Sequence, residues 1–109
     1  MISDLEKEIS NLDNLISKSK ALERLFATHD FKVVIMQPLY QRRDAIVLDL
    51  CSEKAFKEEW YKRKLVSELE SIAYFLKYLD SVTASGIQAS QDKFDAENSI
   101  QQLRENDDE

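Results

Sequence analysis

Leu5, Ile9, Leu12 and Ile16 follow one another at spacings of four, three and four. On a helix this sets four apolar side chains in one stripe, the seam of a coiled coil. The stripe then weakens. Ser19 and Glu23 occupy the next seam positions, while Leu15, Leu22, Leu25 and Phe26 build a neighbouring apolar face. The pattern predicts a helix from Ser3 to about Ala27 with two apolar faces for two neighbours. Ser3 and Glu6 have the S-x-x-E spacing of a capping box, which predicts Ser3 as the cap. Thr28-His29-Asp30 then reads as a short joint, with Thr28 or Asp30 capping the next helix.

Phe31, Val34, Ile35, Leu39, Ala45, Ile46 and Leu50 continue at helical spacing. Pro38 falls inside that run. It lacks an N–H and collides with the preceding turn, costing about 3 kcal/mol in a helix interior. The expected outcome is a short helix ending near Gln37 and a new one beginning at Pro38, with a single kinked helix as the alternative. VVIM and AIVLDL also carry β-branched residues, so a strand is a weaker competing reading. Cys51-Ser52-Glu53 reads as a turn with Ser52 as cap.

From about Glu53 the helical pattern resumes. Ile72, Phe75, Leu79, Val82, Gly86, Ala89, Lys93, Ala96, Ile100 and Leu103 alternate at spacings of three and four, a seam of more than four heptads. About fifty residues of helix would span roughly 75 Å. SVTASGIQAS, residues 81–90, holds the only glycine, Gly86. No other turn residue stands beside it, and Gly86 and Ala89 keep the register of the large seam residues on either side. The segment is therefore expected to be a narrow waist in a continuous helix, admitting a close neighbour, rather than a break.

Composition adds constraints to this outline. A chain of 109 residues with one Gly and one Pro, rich in Leu, Ala, Glu and Lys, favours helix over sheet. The expected organisation is a single helical domain over residues 1–104 and an acidic, frayed tail over 105–109. No apolar run approaches the roughly 20 residues that span a bilayer. MISDLEKEIS lacks the basic-then-apolar layout of a secretory signal, which predicts synthesis in the cytoplasm. One His and one Cys, His29 and Cys51, cannot complete a tetrahedral metal site. No phosphate loop or EF-hand spacing occurs. The sequence therefore predicts no catalytic residue, no cofactor and no metal.

The one local constellation is basic and aromatic: Tyr40, Arg42 and Arg43, then Lys54, Lys57, Trp60, Tyr61, Lys62, Arg63 and Lys64. Residues 42–64 carry seven bases and five acids, and residues 65–109 three bases and ten acids. The charge is polarised along a chain whose total is −6. Arg42, Arg43, Lys57, Trp60, Lys62, Arg63 and Lys64 are candidates for holding a nucleic-acid backbone. They equally suit an acidic partner or the acidic end of a neighbouring copy. A solvated helix face is the plain alternative.

ALERLFATHDFKVVI, then YQRRDAIVLDL, then ELESIAYFLKYLDSVTASGIQASQDKFDAENSIQQL resemble a group of small helical proteins encoded by tailed bacteriophages. The shared features are an A-L-x-x-L…D-F-K…I opening, an aliphatic and aromatic helix, a small-residue G-x-x-A segment and an acidic end. The resemblance covers Ala21 to Leu103, and Pro38 departs from it. It implies a role in the virion or its assembly and no catalytic residues.

The combined expectation is an all-α protein, an elongated helical hairpin or bundle with a long C-terminal helix of coiled-coil character. The first helix folds back along the last, and the middle segment closes one end. With the long seam half covered, Ile72, Phe75, Leu79, Val82, Gly86, Ala89, Ala96, Ile100 and Leu103 are expected to form a protein interface, with other virion proteins and with further copies of the chain. The function expected is that of a non-enzymatic structural or assembly protein, with no membrane partner. The alternative is a small nucleic-acid-binding packaging adaptor.

Overall fold

The computed structural model describes residues 1–107. They form α1 (Ile2–Phe26), α2 (His29–Phe31), a π-helical turn (Lys32–Met36), α3 (Gln37–Leu50), α4 (Glu53–Lys57) and α5 (Glu59–Asp107). There is no strand among the described residues, so VVIM and AIVLDL are helical. The all-α class and the long C-terminal helix are as the pattern predicts. Residues 105–107 of the expected tail continue α5, and 108–109 lie outside the described residues.

Three local expectations change. The chain is already helical at Ile2, and the Leu5 N–H donates to the Met1 carbonyl at 3.2 Å. Ser3 is thus inside the helix and cannot cap it. The run from His29 to Leu50 stays helical through Pro38, with Met36 and Gln37 both in the right-handed region. The π turn lies directly before the proline, where the Gln37 N–H reaches back five residues to the Lys32 carbonyl. A π turn is one extra residue in an α-helix, and here it spares the chain a break at Pro38. The helical run expected from Glu53 is interrupted once, at Glu58, whose φ of −115° and ψ of 106° are extended.

The two polar joints use one device. Thr28 Oγ1 donates to the Leu25 carbonyl at 2.7 Å and accepts from the Phe31 N–H at 3.4 Å. Ser52 Oγ donates to the Asp49 carbonyl at 2.5 Å and accepts from the Ala55 N–H at 3.3 Å. Each hydroxyl therefore ends one helix and starts the next, satisfying groups that helix termini otherwise leave unpaired. Phe26 and Phe31 brace the first joint edge to face, with ring centroids 5.4 Å apart.

Contacts divide the chain into two compact units. The first comprises Met1–Arg24 and Asp80–Glu109. In it α1 runs antiparallel to the later part of α5, as expected. Arg104 meets Glu6 at 3.5 Å, Lys93 meets Asp13 at 2.7 Å, and Gly86 lies against Ser19. The stripe Leu5, Ile9, Leu12, Ile16, Ser19 and Leu22 is buried or half-buried, while Leu15 is exposed. One face of α1 is used here, not two.

Gly86 answers as a waist. It lies inside unbroken helix, and its φ is not positive. A Cβ built on it would collide with Cβ and Oγ of Ser19 and touch the Leu15 carbonyl oxygen at 3.7 Å. The missing side chain lets the two helices approach.

The second unit is Leu25–Leu79. Its core is Ile46, Ala55, Leu65 and Ile72, surrounded by Leu39, Leu50, Tyr61, Leu69 and Leu76. α3 runs antiparallel to the first part of α5: Arg42 faces Glu68, and the Tyr61 hydroxyl reaches Asp49 at 3.4 Å.

Candidate functional site

The long seam is the first candidate surface, and the chain covers it. Ile72, Leu79, Val82, Gly86, Ala89, Ala96 and Ile100 are buried, and Leu103 is half-buried. Phe75 alone stays exposed. Within the chain, α1 lies on the later part of the seam, and Ile72 belongs to the core of the second unit. Lys93, the polar member of the seam, directs its ammonium to Asp13. Its pKa is held above the ordinary 10.5, first by that hydrogen bond and then by the carboxylate's charge.

The basic aromatic segment is the second candidate. Arg42 gives Nε and Nη2 to Glu68 Oε2, at 3.0 and 2.5 Å. That hydrogen bond, and then the carboxylate's charge, raises its pKa. Arg43 is 3.4 Å from Asp44 and lies over the Tyr40 ring, 4.7 Å from its centroid. Lys57 pairs with Glu53 at 2.6 Å, and Arg63 with Glu59 at 3.5 Å. Trp60, 59% exposed, meets Tyr61 edge to face, and the Lys54 ammonium sits over both rings. Lys62 and Lys64 are exposed. Residues 62, 63 and 64 are successive on α5, so they fan over about 200° of the helix. Lys62, Arg63 and Lys64 do not gather on one face, and four of the seven bases are already paired with acids.

His29 opens α2 and Cys51 follows α3, both exposed. No group of three His, Cys, Asp or Glu that could hold a metal occurs among the described residues. No helix of the structure is long and apolar enough to cross a membrane.

A third surface was not anticipated. An open groove of about 630 Å³ runs between the π turn and α3 on one side and α5 on the other. Val34, Ile35, Pro38 and Leu39 line one wall, and Ile72 and Phe75 the other. The Arg42–Glu68 pair closes one end, with Ser71 between Glu68 and Phe75. The lining is mostly apolar, and Val34 is 67% exposed. The signal for it is present in the sequence as VVIM. Consecutive apolar residues on a helix point about 100° apart and cannot all face one core. Met36 is buried, and Val33, Val34 and Ile35 are left outside. AIVLDL repeats the effect, with Ile46 buried and Val47 and Leu48 exposed.

No family model, curated protein or solved structure matches the chain.

Proposed function

We propose that the chain is a non-enzymatic structural or assembly protein, of the kind tailed bacteriophages encode, which acts by binding other proteins. The observation that carries this reading is the apolar groove of the second unit. Exposed apolar surface is costly to leave in water, and a contiguous patch with a polar rim marks an interaction surface. Backbone hydrogen bonds of helices on both sides hold this groove in shape, so little ordering is lost when a partner binds. Phe75 offers an aromatic anchor with the Arg42–Glu68 pair at the margin, the layout of an interface centre and its rim.

The groove takes in the early seam residues Ile72 and Phe75, while α1 lies on the later ones. The packaging-adaptor reading loses ground because Arg42, Arg43, Lys57 and Arg63 have acids of their own chain as partners. Each such pair would have to open before a phosphate could replace the carboxylate.

The expected setting is the host cytoplasm during assembly, and the particle afterwards. The test is to separate mature particles and assembly intermediates on a density gradient and identify their proteins by mass spectrometry. The chain is expected in one of these fractions at fixed stoichiometry. Its absence from both would overturn the phage reading.

A further inference from the structure

The groove has a counterpart on the same chain. Ile87 and Phe94 are 63% and 64% exposed and stand seven residues apart on α5. Seven residues are two helical turns, so both side chains lie on one face, about 10.5 Å apart along the axis. Gln91 lies between them. The groove offers Val34, Ile35, Pro38, Leu39, Ile72 and Phe75 as its apolar lining. We propose that the Ile87–Phe94 ridge of one copy seats in the Val34–Ile35–Phe75 groove of a second copy, giving head-to-tail self-association. The proposal rests on reading the groove as a protein-binding surface and names its occupant.

Charge selects this pairing over the symmetric ones. The unit that carries the ridge, residues 1–24 and 80–109, holds six bases and thirteen acids, a net of −7. The unit that carries the groove, residues 25–79, holds nine bases and eight acids, a net of +1. Ridge against ridge would bring two strongly acidic surfaces together. Groove against groove would join two concave faces and leave both unfilled. Ridge into groove matches convex to concave and acidic to weakly basic, with Asp92 and Asp95 flanking Phe94. Salt screens charges beyond about 8 Å at physiological ionic strength, so the apolar contact supplies affinity and the charges supply orientation. A contact between two different patches is heterologous and continues from copy to copy, into a ring where the rotation closes and a filament where it does not.

The test uses the purified full chain and two variants at exposed positions, Val34→Glu in the groove and Phe94→Glu on the ridge. Sedimentation equilibrium of the wild type is expected to show mass rising with concentration beyond a dimer. Each variant alone should associate at least about tenfold more weakly, with its helical circular dichroism unchanged. The equimolar mixture is decisive. One variant keeps an intact ridge and the other an intact groove, so the mixture should form a dimer that grows no further. Ile35→Lys and Ile87→Glu replace any variant that loses its helical signal. A wild type that stays monomeric at high-micromolar concentration overturns the proposal. So does a mixture that stays monomeric, or a variant that associates like the wild type. Because no particle is present, the result is independent of the phage reading. Self-association with no chain in particles sinks only that reading, and chain in particles without self-association sinks only this one.

Discussion

Gly86 has no freedom to become anything larger without moving α1. The obstructing atom is Cβ of Ser19, fixed to the α1 backbone, so side-chain rotation cannot relieve the contact. Gly86→Ala gains up to about 1 kcal/mol of helix propensity and meets an overpacking cost of about 1–3 kcal/mol. The net expectation is a less stable protein, read as a lower midpoint in urea. Ser19→Gly in the same chain should restore most of the loss, and a failure to restore would show that the close approach lies elsewhere. The sequence placed a waist here and expected a second molecule in it; the neighbour is the protein's own first helix. Ile46 is the other residue on which much depends, with no exposed surface. Ile46→Ala should cost about 2–5 kcal/mol. Val47→Ala, next to it but exposed, should cost little by the same measurement. Equal losses at the two positions would mean that the core of the second unit is misplaced.

At the scale of helices, ends and register are set by few side chains. Ser52 serves two termini, so Ser52→Ala should destabilise the protein by about 1 kcal/mol, and Thr28→Ala by a similar amount, both followed by thermal melting. Register between α1 and α5 is marked by the Asp13–Lys93 pair, a polar contact at a position where either neighbour along the seam is apolar. Such contacts specify alignment more than they add stability. Exchanging the two, Asp13→Lys with Lys93→Asp, should recover the melting temperature that either change alone lowers. Because Lys93 titrates above its ordinary value, the pair's contribution is fully present below that value and is lost as pH rises through the raised one. The alkaline side of a stability profile should flatten in Lys93→Met. Helix type and most joints were legible in the sequence because the 3.6-residue period and the Thr and Ser caps act locally. The π turn was not. Pro38 announces a conflict with the preceding turn, but break, kink and inserted residue all resolve it, and the sequence does not choose among them.

For the molecule as a whole, the seam's apolar period was legible, but what covers it was not. Periodicity says that a stripe is buried and is silent on whether the cover is intramolecular, so Val82 and Ile100 read as an interface when α1 already lies on that part of α5. The groove was half legible: VVIM says that some of its residues must be left over but not which, and only the assembled helices bring Val34, Ile35 and Phe75 together outside the core. The antiparallel pairing of α1 with α5 also dictates an order of events during synthesis. Glu6 and Arg104 are ninety-eight residues apart, and Asp13 and Lys93 eighty. A ribosome adding about 5–20 residues per second needs about 5–20 s to cover the longer interval. For the later part of it, the stripe from Leu5 to Leu22 is outside the ribosome with nothing to cover it, while the segment around Ile46 has Leu65 and Ile72 following closely behind. Nascent chains stalled before residue 80 should therefore be cut readily within α1 by an added protease and bind a chaperone there. Release of the full chain should protect the same bonds. In this chain α1 is made well before the part of α5 that shelters it.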